Sequence, residues 1–311
     1  MPKLSWKLLI VCTSVLGLSF IIAPGVHAEE FNPTSAPDAV PAVASAQQAQ
    51  FSAPLGADAV EGVGCGGENF DAFDAAFEQD IVDLVNQERA ARGLPPLKHS
   101  EDLSLATRYH ARDMSEDEYF DHNTHDRING ELTLRCAWSQ RIRSYVPDAG
   151  TIGENIVVGY QDAEDAMNAW MNSEGHRNNI LGDYRELGIG FYASYSVQNF
   201  AERTNFDPLV INLEAAATDS TTVDLYAYGE WEEYRMRIDG GAWSAWSAFS
   251  SQLTAEIPAV NGLHRIDMEM RSGDYLVASS DTIVYAGTSN TEPSDEIEIG
   301  EHGMFLPLVR R

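Results

Sequence analysis

The hydrophobic pattern of this 311-residue chain changes period once, and that change limits the folds open to it. Before about residue 205 the apolar side chains recur at helical spacing. Phe77, Ile81, Leu84 and Val85 form one stripe with Asp83, Gln87 and Glu88 on the other side, Leu103, Ala106, His110 and Met114 form a second, and Ala163, Ala166, Met167 and Trp170 a third. Gly93 ends the first helix and Pro95-Pro96 keeps it from resuming. Ser100 can cap the second, with Glu101 and Asp102 suited to the positive end of its dipole. Short apolar runs over 153–158, 187–193 and 195–200 read as strands. Helices and strands in this order predict a three-layer α-β-α sandwich with an antiparallel sheet. From about 207 to 287 the period is two: Val223, Leu225 and Ala227 alternate with Asp224 and Tyr226, Met236 and Ile238 with Arg235 and Arg237, and Ile266, Met268 and Met270 with Asp267, Glu269 and Arg271. Asp239-Gly240, Asn261-Gly262 and Ser272-Gly273 supply the turns. The chain is therefore α+β, with an antiparallel β-sandwich following the first domain.

The segments outside these domains read differently. Lys3 and Lys7 precede an apolar run from Leu8 to Ile22, and Val26-His27-Ala28 offers a small-residue cleavage site, so residues 1–28 have the layout of a secretory signal peptide. An uncleaved anchor is the alternative, against which stand the shortness of the run and its Thr13, Ser14, Gly17 and Ser19. Residues 29–64 are Ala, Pro, Ser, Gln and Val without lysine or arginine, and read as a linker. Residues 288–311 form an acidic spacer closed by the apolar run Met304–Val309 and Arg310-Arg311, either a sorting or docking tag or one more strand for the β-domain. The expected location is secreted, extracellular or at the cell envelope. With 48 acidic against 20 basic residues the formal charge is −28, a field that repels phosphate backbones and anionic headgroups. Nucleic acid is thereby a poor partner. Cys12 leaves with the signal peptide. Cys65 and Cys136 then pair as one disulfide, with two free thiols as the alternative.

Chemistry-bearing residues cluster in the first domain. Gly175 in Ser173-Glu174-Gly175-His176-Arg177 frees the backbone to turn and present His176 at a helix exit. Glu154, between Gly153 and Asn155, is placed as a carboxylate at a strand edge. His122 follows the aromatic pair Tyr119-Phe120 and leaves its helix between Asp121 and Asn123. Two imidazoles and a carboxylate suit Zn²⁺ or another divalent cation and leave a coordination position open. The bland reading is that the three hydrogen-bond one another and lock helix to sheet. His125 is a further candidate, better read as a solvated loop histidine, and Asp126 and Arg127 as a surface pair. His110, on the apolar face of its helix, reads as a core histidine hydrogen-bonded to backbone. Residues 129–150 read as an irregular loop and short helix, pinned over the first two helices by Cys136.

The order of Asp83–Arg89, Gly93–Leu97, Ala106–Met114, Tyr119-Phe120-Asp121-His122, Gly153-Glu154-Asn155-Ile156, Trp170–Leu181 and Leu187-Gly188-Ile189-Gly190 resembles the CAP superfamily (cysteine-rich secretory protein, antigen 5, pathogenesis-related 1; the SCP domain) in its short bacterial form. The resemblance covers roughly residues 70–202, within a domain expected over 65–204, and implies the CAP α-β-α fold. It also implies a cleft lined by two His and two Glu that can hold a cation. His122, Glu154 and His176 match three of those positions; Glu174 stands one residue late for the fourth, beside Asn172 and Ser173. Proteolysis in some relatives and sterol or fatty-acid binding in others make a small-molecule, lipid or peptide ligand the expected occupant. No Gly-x-Ser-x-Gly elbow, His-Glu-x-x-His helix or reactive cysteine supports an enzyme independently. The readings are thus a binding module first, a metal-dependent extracellular hydrolase second, and a structural or adhesive envelope module third. The later domain, over 207–287, resembles immunoglobulin-like or fibronectin type III-like modules and could meet a cell-envelope component. Its Trp243, Trp246 and Phe249 suggest either a glycan-stacking face or, more commonly, a cap on the sandwich.

Overall fold

A computed structural model describes Cys65, residues 68–203 and residues 206–287. The signal peptide, linker and tail expected from the sequence lie outside the described residues. The first domain runs α1 (Ala75–Ala90), β1 (Lys98–His99), α2 (Glu101–Glu116), β2 (Thr124–Ile128), β3 (Glu131–Cys136), α3 (Trp138–Tyr145), β4 (Thr151–Val158), α4 (Ala163–Asn172), α5 (Glu174–Ile180), β5 (Glu186–Tyr192) and β6 (Tyr195–Glu202). Its main sheet has the order β1-β5-β6-β4, antiparallel except for the short parallel pair of β1 with β5.

Strand alternation sorts the core into two layers. Leu187, Ile189 and Phe191 of β5, Phe200 of β6 and Val157 of β4 pack with Phe77, Ile81 and Val85 of α1 and Met167 and Trp170 of α4. The opposite face of the same strands, Ile152, Ile156, Val197 and Ala201, meets Leu103, Ala111 and Met114 of α2 and Ile142 of α3. These are the three layers the periodicity predicts. Capping follows the sequence too, since Asp74 accepts from Ala76 and Phe77 at the start of α1 and Ser100 from Leu103 at the start of α2.

Gly188 and Gly190 let α2 lie directly on β5. A Cβ on Gly190 would sit 2.3 Å from the Arg108 nitrogen and 2.4 Å from the Thr107 carbonyl carbon, both backbone atoms that cannot rotate away. Gly190→Ala should therefore push α2 off the sheet and cost about 1–3 kcal/mol by overpacking. Urea unfolding checks this, and a midpoint equal to wild type would show that the layer gives way freely.

Three local readings are corrected. The segment from Asn129 is ordered: β2 and β3 form a hairpin turning on Asn129-Gly130, with φ of 53° and 88°. Asn-Gly is itself the strongest sequence signal for such a turn. Asp126 pairs with Arg135 rather than Arg127, which instead donates to the carbonyls of Asp117, Glu118 and Gly130. Gly175 makes no turn. It lies inside α5, and the chain breaks at Ser173, whose extended backbone separates α4 from α5.

The second domain comprises β7 (Leu209–Ile211), a tight turn (Asn212–Glu214), β8 (Ala217–Thr218), β9 (Thr222–Ala227), β10 (Glu233–Ile238), β11 (Ser247–Ala248), β12 (Gln252–Glu256), β13 (Gly262–Ser272) and β14 (Tyr275–Tyr285). A β12-β9-β7 sheet and a β11-β10-β13-β14-β8 sheet enclose one core, with Leu209, Val223 and Leu225 from the first meeting Ile266, Met268 and Ile283 from the second. Trp243 and Trp246 neither fill this core nor offer free faces. They interleave with arginines in the order Arg237, Trp243, Arg235, Trp246, Arg271, at 4.0–5.0 Å from guanidinium to ring centroid. Phe249 packs against the core.

The domains are latched by specific polar contacts. Tyr228 donates to the Pro96 carbonyl at 2.8 Å, and Asn86 and Gln79 of α1 donate to the carbonyls of Leu213 and Glu214 at 2.9 and 2.8 Å. Those two acceptors and Asn212 all have positive φ, of 45°, 60° and 69° in chain order. Such a run of left-handed non-glycine residues persists only where surrounding contacts hold it.

Candidate functional site

Glu154 lies on β4, an edge strand of the main sheet, on the same side as Ile152 and Ile156. Its side chain faces α2 and α3 and is only 1% exposed. A buried carboxylate needs partners for both oxygens. His122 Nδ1 donates to Oε1 at 2.9 Å. Arg141, with a fully buried side chain, donates to Oε2 from Nη2. Asn199, the register partner of Glu154, reaches the same oxygen at 2.9 Å in the amide orientation that satisfies both groups. Burial alone would raise the Glu154 pKa, but the Arg141 charge and the His122 hydrogen bond outweigh it and bring it down to about 2. Glu154 is thus an ionised, saturated carboxylate.

Arg141 is the residue that sequence reading missed. Besides Glu154 it donates from Nη1 to the His122 carbonyl at 3.0 Å and to Thr124 Oγ1 at 2.8 Å, tying α3 to the segment that carries His122. Its helix starts two residues after Cys136, whose disulfide to Cys65 has a Cα separation of 5.6 Å.

His122 is oriented by its own hydrogen bond. With Nδ1–H on the carboxylate, the neutral ring has its lone pair on Nε2, a buried atom without a hydrogen-bond partner. His176 approaches from α5, which lies along the free edge of β4. Asn179 Nδ2 donates to the Glu154 carbonyl at 3.2 Å and to Asn155 Oδ1 at 2.8 Å, and Asn155 Nδ2 donates to the His176 carbonyl at 3.1 Å. The His176 ring is fully buried and neither of its nitrogens has a partner. Desolvation first, and then the nearby His122, lower its pKa to about 4, so it is neutral at pH 7.

The remaining candidates lie elsewhere. Glu174 is exposed on the first turn of α5. It is no member of this site. His125 sits on β2, not in a solvated loop, with Nδ1 on the Asn123 carbonyl at 2.9 Å and its ring against Tyr119 at 5.2 Å. His110 is a core histidine, donating from Nε2 to the Asp121 carbonyl at 3.0 Å. Among the described residues, the acidic or imidazole donors that gather within 4.8 Å of one another in a group of three are Asp113, Asp117 and Asp126. His122, Glu154 and His176 are not closed into such a triad: Glu154 Oε1 and His122 Nδ1 are 2.9 Å apart, and it is His176 that stands outside their group.

Comparison with known proteins follows the same segment. Residues 82–204 match the model of the cysteine-rich secretory protein family, CAP. The uncharacterized protein YkwD of Bacillus subtilis is 37% identical over 124 residues, which are 40% of this chain and 45% of that protein. The uncharacterized membrane protein YlbC of the same organism is 34% identical over 137 residues, 44% of this chain and 37% of that protein. The matches thus span less than half the length of either relative. The structure of an extracellular SCP-domain protein from Bacillus anthracis aligns with a TM-score of 0.37 at 30% identity, over 40% of each chain. Residues 82–204, then, form a domain that matches the cysteine-rich secretory protein (CAP) family.

Proposed function

We propose that the chain is an exported binding protein in which His122 and His176 hold a divalent cation such as Zn²⁺. Glu154 in this reading orients His122 and is not itself a ligand. One observation carries it: three buried ring nitrogens, His122 Nε2 and both nitrogens of His176, have no hydrogen-bond partner, while the carboxylate that His122 contacts is already saturated. Buried polar atoms without partners are uncommon, and a bound ion is one of the explanations for them. A carboxylate on one imidazole nitrogen with a metal on the other is a recurring arrangement that fixes tautomer and ring angle. Neutral imidazole is the ligating form, and the low His176 pKa supplies it. When bound, the cation supplies a Lewis-acidic centre with positions open to a small-molecule, lipid or peptide ligand. Export is supported by the Cys65–Cys136 disulfide, a bond that persists in oxidising compartments. Among the described residues no helix is long and apolar enough to cross a membrane.

A second reading is favoured by the Arg141–Glu154–His122 chain itself: the network locks α3 and the His122 segment onto the sheet and binds nothing. Thermal melting with zinc separates the two. Zinc at a hundredfold excess over its Kd should raise the melting temperature by roughly 5–10 °C, and His122→Ala with His176→Ala should remove the shift. A folded wild type that ignores zinc supports the lock.

A further inference from the structure

Far from this site in sequence, the junction of the two domains forms a half-open pocket of about 480 Å³, with Asp224 and Gln252 exposed at its wall. That is within the range of small-molecule sites, which favour domain boundaries. One wall is the outward face of the β12-β9-β7 sheet, where Gln252 and Tyr226 are register partners and Asp224 follows two residues along on the same face. The other wall is the apolar loop Leu94-Pro95-Pro96 of the first domain. The loop is rigid, because the Pro95 carbonyl accepts from Arg89 and the Pro96 carbonyl from Tyr228, both at 2.8 Å. The cavity is therefore preformed, and a ligand has little ordering cost to meet.

The chemistry of the sheet wall is specific. The carboxylate of Asp224, the hydroxyl of Tyr226 and the amide of Gln252 make no hydrogen bond or ion pair with any described residue, although the backbone of each is fixed in its strand. Together they offer a charged acceptor, a hydroxyl that can donate and accept, and an amide that can do both. The nearest cations do not turn this into an anion site. Arg89 is capped by the carbonyls of Pro95, Ile180 and Gly182, and Arg185 is paired with Asp207 and the Phe206 carbonyl. Asp224 at one end and the Arg89 and Arg185 guanidinium groups near Tyr226 carry opposite charges.

A ligand that matches has one edge of adjacent hydroxyls, one apolar face and no net charge. We infer that the cavity is a saccharide site: it takes a neutral sugar, with ring hydroxyls on Asp224, Tyr226 and Gln252 and the C–H face against Leu94, Pro95 and Pro96. Hydroxyl-to-carboxylate bonds are the strong ones in this set, so Asp224 carries most of the affinity. None of these residues belongs to the His122–His176 site.

Calorimetric titration of the full chain with the neutral disaccharides N,N′-diacetylchitobiose, cellobiose and maltose tests the assignment, with benzyltrimethylammonium as a cationic probe. At least one disaccharide should saturate at one site with a Kd of about 1 mM or below. Asp224→Ala should weaken it by roughly tenfold or more and Gln252→Ala by about two- to tenfold, with melting temperature and zinc response unchanged in both. Saturation by none of the three sugars overturns the assignment. So does sugar binding that survives both substitutions, or binding of the organic cation alone.

Discussion

Arg141→Ala should cost the folded chain about 3–5 kcal/mol, the usual penalty for stranding a buried charge. Arg141 and Glu154 are 0% and 1% exposed at their side chains, so no water replaces the lost guanidinium. The loss should not stop at one ion pair, since the same side chain holds the His122 carbonyl and Thr124. The pH dependence has a defined sign. The Glu154 pKa is depressed to about 2 from an ordinary 4.5, so its contribution is complete above about pH 4.5 and is lost as pH falls toward 2. Urea unfolding at pH 7 and across that acid window measures both effects. A loss below about 1 kcal/mol at pH 7 would mean that Glu154 finds other partners.

Lys98→Ala should be about as severe, but its effect falls on the junction of the domains. Lys98 bridges Glu214 at 2.9 Å and Asp281, whose side chains are each 8% exposed. Around them the His99 amide donates to Glu214 Oε2 at 3.1 Å and the Ile211 amide to Asp281 Oδ2 at 2.8 Å. Removing the single cation leaves two facing carboxylates in a dry site, again a loss of about 3–5 kcal/mol. Unfolding should then separate into two transitions, one per domain. In the intact protein two carboxyl groups share this one cation. Burial and the Asp281 charge push Glu214 up to about 8 despite Lys98. For a carboxyl raised in this way, stability is full below its unfolded value near 4.5 and declines as pH rises through 8. Glu214→Gln should flatten that decline, and superimposable pH profiles of wild type and variant would refute the assignment.

The sequence made the layers legible because burial on helices and strands has a fixed period. Ile81, Val85, Leu103, Ala106 and Met114, read as core from spacing alone, are all fully buried. His122, Glu154 and His176 could be named because each sits in a short motif whose order resembles the CAP pattern. What motifs do not carry is the direction in which a carboxylate turns. Arg141 lies in a segment that reads as irregular, and only the fold shows that α3 delivers its guanidinium to Glu154. The buried pair of Glu78 with Arg108 hid for the same reason: each looks like a solvated helix charge, and their meeting depends on how α1 and α2 cross β5. The arginine–tryptophan interleaving was half legible. Alternation placed Arg235 and Arg237 outward, but the return of Trp243 and Trp246 over them is a tertiary event. Asn129-Gly130 is different, since its turn signal was present in the sequence.

The account rests on division of labour between two imidazoles that bind and one carboxylate that orients. Anomalous diffraction at the zinc edge, from crystals grown with the metal, tests this directly. The predicted result is a peak ligated by His122 Nε2 and a ring nitrogen of His176, with Glu154 still held by Arg141 and His122 Nδ1. A peak ligated by Glu154, a peak confined to Asp113, Asp117 and Asp126, or no peak at all would contradict it.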